Sequence, residues 1–180
     1  MNKVLLGGSR SVSRLSESVR DRIENILSQG FEIIIGDANG ADRALQAYLA
    51  DRGYTSVTVY CSGDDCRNNL GNWKTILVPT GRTKLDFDHY VQKDVRMAGE
   101  ADDGFFLWNG KSRGTLNTIR LLLKRERPVL VYLSPKESFV TLKNEADLEV
   151  TLGKVPLAVT TSRRRYSRKG TKPASQQSLF

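Results

Sequence analysis

Three short stretches of the chain combine glycine with hydroxyl, amide or charged side chains, and each follows an apolar run. They are GGSRS at 7–11, GDANGAD at 36–42 and NGKSRGT at 109–115. Glycine lets an anion approach backbone N–H groups that a Cβ would shield, and the positive end of a following helix favours negative charge. Hydroxyl groups add hydrogen bonds to phosphate oxygens, and arginine or lysine neutralises their charge. A nucleotide-sized anion therefore suits these turns, although the same residue types also serve strand-to-helix turns for geometry alone.

Apolar runs and helical periodicity alternate along the chain and predict the elements that position these turns. The runs expected to form strands are 3–6, 31–35, 56–60, 75–79, 104–108 and 128–133. The segments expected to form helices are 16–30, 41–52, 88–101 and 115–124, and 138–153 is expected to add a small strand and a short helix. Because the strands are apolar along their whole length, we predict a Rossmann-like, doubly wound, mainly parallel sheet with helices on both faces.

Right-handed crossovers in such a sheet bring the loops after the strands to one edge, where ligands bind. The stretch GDANGADRALQAYL resembles the G-x-A-x-G-x-D-x-x-A turn of the SLOG superfamily. The resemblance is supported by GGSR near the N-terminus and by NGKSRGTLNTI after a later strand. This superfamily contains the DNA-processing protein DprA, the lonely guy phosphoribohydrolases and the YspA-type proteins, and the YspA-like members are the most similar. The resemblance covers residues 3–133.

The resemblance implies a pocket for a nucleotide or nucleotide derivative, such as NAD, ADP-ribose or a nucleoside monophosphate. Its residues, transferred position by position, are Gly7, Gly8, Ser9, Arg10, Gly36, Asp37, Gly40, Asp42, Asn109, Lys111, Ser112, Gly114 and Thr115. Asp37 is the candidate partner of a ribose hydroxyl because it directly follows a strand. Asp42 has a second interpretation, since an acid at the start of a helix also interacts with the helix dipole or caps free N–H groups.

The sequence leaves open whether the protein is an enzyme. Lonely guy hydrolases carry P-G-G-x-G-T-x-x-E, whose glutamate assists cleavage of the N-glycosidic bond. Gly114 and Thr115 match this motif, but Thr118 occupies the glutamate position. A threonine lacks a carboxylate to stabilise a ribosyl cation or to activate water, which counts against the same hydrolysis. Acids that could substitute, none of them fixed by spacing, are Asp37, Asp42, Glu100, Asp102 and Asp103.

The loop after the third strand, CSGDDCRNNLGNWK, is longer than a minimal connection. Arg67, Asn68, Asn69 and Trp73 could pair with or stack on a base, and Trp73 could equally cover the core. The chain contains only two cysteines, Cys61 and Cys66, and one histidine, His89. We therefore expect two reduced thiols near a loop, and neither a zinc site nor a disulfide framework.

Charge divides the chain into two regions. Six basic residues and no acid lie in 160–180, so the formal charge of +8 falls to +2 for residues 1–159. We therefore predict one domain over 1–156 and a flexible basic tail over 157–180, because the tail has too little apolar surface to fold. The N-terminal apolar run is too short for a signal peptide and no stretch approaches a membrane span, so we expect a cytoplasmic protein that does not contact a membrane.

Two function classes follow. The first is a nucleotide-binding protein that senses, sequesters or hydrolyses its ligand, with a bound nucleotide as its only cofactor-type group; the resemblance implies an assembly of identical chains. The alternative is a DprA-like module for single-stranded nucleic acid, in which the glycine-rich edge grips backbone phosphate and the tail adds a weak, salt-sensitive contact. The nearly neutral charge of residues 1–159 counts against the alternative.

Overall fold

Strands and helices alternate along residues 2–79 and 87–154, the part of the chain that the computed structural model describes. The strands are β1 Lys3–Gly8, β2 Glu32–Gly36, β3 Val57–Ser62, β4 Lys74–Val78, β5 Asp103–Trp108, β6 Val129–Leu133 and β7 Ser138–Leu142. The helices are α1 Glu17–Ser28, α2 Ala41–Asp51, α3 Phe87–Glu100, α4 Arg113–Leu123 and α5 Glu145–Lys154. The basic tail predicted at 157–180 and its boundary at 156 lie outside the described residues.

The seven strands of the described residues form one sheet in the order β4-β3-β2-β1-β5-β6-β7. Every neighbouring pair is parallel except β6 and β7, which are antiparallel. The chain runs outward from β1 to β4 and then returns to place β5 on the other side of β1. The strand order therefore reverses between β1 and β5, and such a reversal opens a crevice at the carboxyl ends of the strands. The predicted α/β class and the mainly parallel sheet are confirmed.

Helices cover both faces of this sheet, as the uniformly apolar strands predict. On one face Leu5 and Ile34 pack with residues of α3 and α4, while Leu148 of α5 belongs to the same cluster. On the other face Leu6 and Ile35 pack with residues of α1 and α2. Alternate residues of one strand thus enter opposite cores, which is why no polar alternation is visible in the sequence.

Local signals fix the ends of the first two helices. The Ser16 hydroxyl accepts the backbone N–H of Val19 and caps α1, as predicted, and Gly30 and Gly53 follow α1 and α2 with positive φ. The inward face of α2 differs from the expectation: Ala44 and Tyr48 are only half-buried, whereas Gln46 and Leu49 are fully buried. The amide of Gln46 is satisfied because it donates to the carbonyls of Gly36 and Asn68.

The connection from β3 to β4 contains no helix, although the two strands are parallel. Cys61 at the end of β3 and Cys66 in this connection form a disulfide, with their Cα atoms 5.1 Å apart. The expectation of two reduced thiols is therefore wrong. Sequence spacing does not reveal the reason, which is that the loop turns back and brings the two side chains together.

None of the helices in the described ranges has the length and apolar character needed to cross a membrane.

Candidate functional site

A cavity of about 540 Å³ opens at the carboxyl edge of the sheet, where the loops after β1 and β5 diverge. Helix α3 closes one side, and the start of α4 forms part of another. The thirteen residues expected in the site fall into two groups. Those that line the cavity are Gly7, Gly8, Arg10, Gly36, Asp42, Asn109, Ser112, Gly114 and Thr115. Those outside its lining are Ser9, Asp37, Gly40 and Lys111.

Ser9 joins two of the loops beneath the cavity. Its fully buried hydroxyl donates to Oδ1 of Asn109 at 3.1 Å and accepts the backbone N–H of Asn109 at 3.1 Å. The Thr115 hydroxyl lies 3.4 Å from the Ser9 hydroxyl and also bonds to Ser112 at 2.9 Å. Ser9 therefore holds the β1 and β5 loops in register, and it is not positioned to touch a ligand as the sequence suggested.

The loop after β5 satisfies much of its own hydrogen-bonding capacity. Oδ1 of Asn109 accepts the backbone N–H groups of Lys111 at 2.9 Å and Ser112 at 2.8 Å. The Ser112 hydroxyl caps α4 by accepting the N–H of Thr115 at 3.3 Å, so α4 begins two residues earlier than the sequence indicates. Lys111 is exposed. The surface of this loop offered to the cavity is mainly Gly114, the hydroxyls and the first turn of the helix.

Asp37 is the centre of a buried ion cluster rather than a wall of the cavity. Its side chain is 1% exposed and accepts Nζ of Lys93 at 2.8 Å and Nη2 of Arg67 at 2.6 Å. The backbone N–H and Nε of Arg67 bind its second oxygen at 3.1 and 3.0 Å. Burial by itself would raise the pKa of Asp37, but these hydrogen bonds and the Lys93 charge outweigh it and hold the pKa well below its usual value. Asp37 is therefore not placed to accept a ribose hydroxyl.

Asp42 lines the cavity from the first turn of α2. Its Oδ2 accepts the backbone N–H of Ala38 at 3.1 Å, so the carboxylate braces the preceding loop instead of capping its own helix. Burial raises the pKa of Asp42 above its usual value, although the Lys93 charge and the Ala38 N–H act in the opposite direction. A Cβ on Gly36 would lie 2.5 Å from Oδ2 of Asp42, so this approach of carboxylate to strand requires glycine.

Gly40 lies away from the cavity and lets the second loop touch the first. It has a φ of 84°, and an added Cβ would overlap the carbonyl group of Arg10. The backbone N–H of Ala41 donates to the carbonyl of Ser9 at 3.2 Å beside this contact. The loops after β1 and β2 are consequently in direct backbone contact.

Helix α3 supplies cavity residues that the sequence did not indicate, namely Tyr90, Lys93, Asp94 and Met97. Asp94 is half-buried, and Thr118 on α4 lines the same cavity. Burial raises the pKa of Asp94 to about 6, with Lys93 lowering it and the nearby Asp42 raising it further. These residues reach the cavity only because α3 packs against α4 and β1. No sequence motif contains these four residues, so the sequence gives no sign that they belong to a site.

Two guanidinium groups lie over the ring of Tyr90 at the cavity. The guanidinium carbon of Arg10 is 5.0 Å from the ring centroid, and that of Arg67 is 4.9 Å from it. Arginine over an aromatic face gains cation–π attraction and leaves N–H groups available at its edge. Arg10 and Arg67 thus place positive charge at the cavity in a defined orientation.

The other residues considered for base recognition have structural roles. Asn68 is buried and donates to the carbonyl of Asp37 at 2.7 Å, and Asn69 pairs with the backbone of Trp73 in both directions. The Trp73 indole N–H donates to the carbonyl of Tyr54 at 2.7 Å, and its ring packs against the core. Of the two interpretations of Trp73, covering the core is the one that matches its contacts.

Three of the acids considered as substitutes for the missing glutamate do not line the cavity. Asp102 accepts the backbone N–H of Lys3 at 3.0 Å at the opposite edge of the sheet, where Asp103 begins β5. Glu100 bonds to the hydroxyl of Tyr60 at 2.6 Å and does not line the cavity. Within residues 2–79 and 87–154, no three acidic, histidine or cysteine side chains are grouped as metal ligands would be.

Comparison with known proteins gives one informative similarity. No family model matches the chain, and no curated protein matches its sequence. Among solved structures, the chain is similar in fold to DNA processing protein A from Helicobacter pylori, with a TM-score of 0.56. The two share 14% sequence identity over 86% of this chain and 74% of that chain, so the likeness concerns the fold alone. That protein was described for its mode of binding single-stranded DNA.

Proposed function

We propose that this chain is a SLOG-type protein that binds a nucleotide or nucleotide derivative in the cavity between β1 and β5. The observation that carries the proposal is the convergence of all three glycine-containing loops on one cavity at the reversal of strand order. Its volume of about 540 Å³ lies within the range of about 300–1,000 Å³ typical of small-molecule sites.

The lining offers complementary groups for the parts of a nucleotide. The exposed guanidinium of Arg10 and the first turn of α4 at Gly114 favour phosphate. The carboxylates of Asp42 and Asp94 accept hydrogen bonds from sugar hydroxyls or from an amino group of the base. The Tyr90 ring holds the guanidinium groups of Arg10 and Arg67 at the cavity, where they add positive charge for phosphate. A bound nucleotide derivative of the NAD or ADP-ribose type, or a nucleoside monophosphate, matches this set.

The first experiment identifies the ligand without assuming it. The full chain is purified, heated, and the released small molecules are identified by mass spectrometry. Calorimetric titrations with AMP and ADP-ribose then measure affinity. Arg10→Gln should weaken binding about 10- to 100-fold because a charge-assisted hydrogen bond contributes about 1.5–3 kcal/mol. The matched control is Arg20→Gln, a change at an exposed position on α1. Absence of both a released nucleotide and any titratable binding would exclude the proposal.

The second candidate function is binding of single-stranded nucleic acid, and the fold similarity to the Helicobacter pylori protein favours it. In this case the cavity would take one nucleotide of a strand, with adjacent phosphates following the loop edge and a further weak contact through residues 157–180. Fluorescence anisotropy with a labelled oligodeoxythymidine and the full chain, measured over a salt series, tests this candidate. Binding through the cavity should be displaced by AMP and weakened by Arg10→Gln. Binding that salt removes and that neither change affects would place the contact elsewhere on the chain.

An assembly of identical chains is a further proposal, which rests on the SLOG resemblance. Sedimentation velocity of the full chain distinguishes a monomer of 20.1 kDa from a dimer or larger species.

A further inference from the structure

The cavity continues as a slot along the face of the sheet beneath α3. Gly7 on β1 and Gly36 on β2 stand where each strand faces α3, since the residues two positions earlier pack in the core on that side. A Cβ on Gly36 would lie 2.5 Å from one carboxylate oxygen of Asp42, and a Cβ on Gly7 would lie 3.5 Å from the other. The slot therefore extends over bare backbone, and its lining reaches Leu5 and Phe106.

Helix α3 gives a measure of depth in this slot. It runs from the carboxyl edge of the sheet to the amino edge, where Oε2 of Glu100 lies 3.9 Å from Nζ of Lys3 at the start of β1. Tyr90, Asp94 and Met97 all line the cavity, and they are spaced three to four residues apart on one face of the helix. At about 1.5 Å of rise per residue, Asp94 lies about 6 Å deeper than Tyr90, and Met97 lies deeper still.

Charge changes sign along the slot. The mouth is positive, because the guanidinium groups of Arg10 and Arg67 lie over the Tyr90 ring and the first turn of α4 adds the positive end of its dipole. The interior is acidic, because both Asp42 and Asp94 line it. A ligand that matches this distribution places an anionic group at the mouth and N–H donors at its inner end.

Of the two interior acids, Asp94 is the one directed to a ligand. Asp42 accepts the backbone N–H of Ala38 and braces the loop after β2. The lysine beside Asp94 does not neutralise it, because Nζ of Lys93 lies 2.8 Å from Oδ1 of the buried Asp37. Asp94 belongs to no ion pair within residues 2–79 and 87–154.

The surroundings of Asp94 solvate its charge poorly. Burial is the largest cause that raises its pKa to about 6, with Lys93 and Arg10 acting against it and Asp42 acting in the same direction. Arg67 reaches the cavity from the β3–β4 loop, and the α4 residues in the cavity lining are uncharged. A ligand N–H group that donates to the ionised carboxylate would supply the hydrogen bond that burial takes away from water.

We propose that Asp94 selects the base of the bound nucleotide by accepting a hydrogen bond from its amino group. The base then occupies the slot beneath α3, and the phosphate lies at the mouth with Arg10 and Arg67. An ionised carboxylate only accepts hydrogen bonds, so it pairs with the amino group of adenine or cytosine and opposes the carbonyl that hypoxanthine or uracil carries at the same ring position. The inference rests on the proposed nucleotide-binding function and narrows the ligand to adenine and cytosine nucleotides.

The test compares nucleotides that differ at this ring position. Calorimetric titrations of the full chain at pH 7.5 compare AMP with IMP and CMP with UMP, and the pair that binds more tightly decides. Its amino member should bind about 10- to 100-fold more tightly than its carbonyl member, because a hydrogen bond to a charged group is gained. Equal or reversed affinities in that pair overturn the proposal.

Variants assign the selectivity to one residue. Asp94→Asn should bring the affinity ratio to within about threefold of one, because an amide both donates and accepts hydrogen bonds. The control Asp51→Asn removes an exposed acid at the end of α2 and should keep the wild-type ratio. Arg10→Gln should weaken both members of the pair by a similar factor, because it acts on the phosphate. A wild-type ratio in Asp94→Asn overturns the assignment.

The pH dependence of the affinity ratio decides the matter even if Asp94→Asn fails to fold. Asp94 gains a proton as pH falls through about 6, and the protonated carboxyl can donate to the carbonyl of IMP or UMP. The wild-type ratio should therefore shrink towards one between pH 7.5 and pH 5. The phosphate groups also titrate near pH 6, but they do so alike in both members and cancel in the ratio.

Each remaining outcome has one meaning. A ratio that stays constant with pH overturns the proposal, and a ratio that still shrinks in Asp94→Asn overturns it in favour of Asp42. If both members of a pair bind equally well, the selectivity is overturned and the binding function stands. If none of the four nucleotides binds, the proposed function fails first and the selectivity fails with it.

Discussion

Asp37 and Asp94 are two aspartates at the same edge of one sheet, yet their surroundings are opposite. Asp37 is closed off from solvent and held by Arg67 and Lys93, which keep its pKa well below the usual value. Asp94 faces the cavity, and its burial there raises the pKa to about 6. Asp37, which the sequence singled out because it directly follows a strand, therefore has a structural role, whereas Asp94 lines the cavity from a helix that no motif marks.

The largest effect is expected where the ion cluster is broken. Asp37→Asn should lower the free energy of unfolding at pH 7 by about 3–5 kcal/mol, because it leaves the buried Lys93 without its counter-ion. Urea denaturation measures this change, and Asp51→Asn at an exposed site should stay within about 0.5 kcal/mol of wild type. The contribution of Asp37 is complete above its unfolded pKa of 3.8 and is lost as pH falls below it, so the difference should shrink in acid. A loss below about 1 kcal/mol at pH 7 would contradict the structural role.

The second prediction tests whether backbone contact, as well as charge, positions the loop that carries Asp37. Gly40→Ala should cost about 2–4 kcal/mol because it combines positive φ with overlap on the Arg10 carbonyl. Gly53→Ala is the matched control: its φ is also positive, but a Cβ there meets nothing within 4 Å, so only about 1 kcal/mol should be lost. Equal losses from the two variants in thermal or urea denaturation would show that the contact between the loops contributes nothing.

The third prediction concerns Ser9, which connects two loops beneath the cavity through hydrogen bonds between uncharged groups. Ser9→Ala should cost about 1–2 kcal/mol in urea denaturation, because it removes the partner of the Asn109 N–H inside the protein. Ser13→Ala at an exposed position should be neutral. If Ser9→Ala instead weakened nucleotide binding without any change in stability, the original assignment of Ser9 to the ligand would be restored.

The smallest expected effect is a gain in stability, in contrast to the loss expected for Asp37→Asn. Asp94→Asn should raise the free energy of unfolding at pH 8 by about 1 kcal/mol, because the wild-type carboxyl is then ionised in a site that favours its neutral form. The raised pKa means that this penalty is complete above about pH 6 and disappears as pH falls towards the unfolded value of 3.8. Urea denaturation at pH 8 and pH 4.5 should therefore show the gain shrinking. Destabilisation at pH 8 would indicate that Asp94 has an unrecognised ionic partner.

The sequence predicted the fold because β1, β2 and β5 are apolar and each is followed by a turn that contains glycine, serine or asparagine. It placed the Ser16 cap and brought Gly7, Gly36 and Gly114 to one cavity, since parallel strands end at the same edge. These signals are local or depend only on strand direction, so they can be interpreted without knowing how the helices pack.

What the sequence could not supply depends on contacts between distant segments. Asp94 and Lys93 lie in an amphipathic helix with no motif, and their role appears only when α3 packs against β1 and α4. Arg67 was considered for base recognition, but its pairing with Asp37 requires the β3–β4 loop to fold back over 30 residues of sequence. The disulfide was missed for the same reason, because five residues of separation do not define the path of the loop.

That disulfide has a practical consequence for every affinity measured on this protein. Its second cysteine, Cys66, immediately precedes Arg67, whose guanidinium helps to form the rim over Tyr90. Reducing agents in a purification buffer would open the loop closed between Cys61 and Cys66 and release the peptide that presents this arginine. Preparations with and without dithiothreitol would therefore contain different redox forms of the binding site. Their thiol content should be titrated before their binding constants are compared.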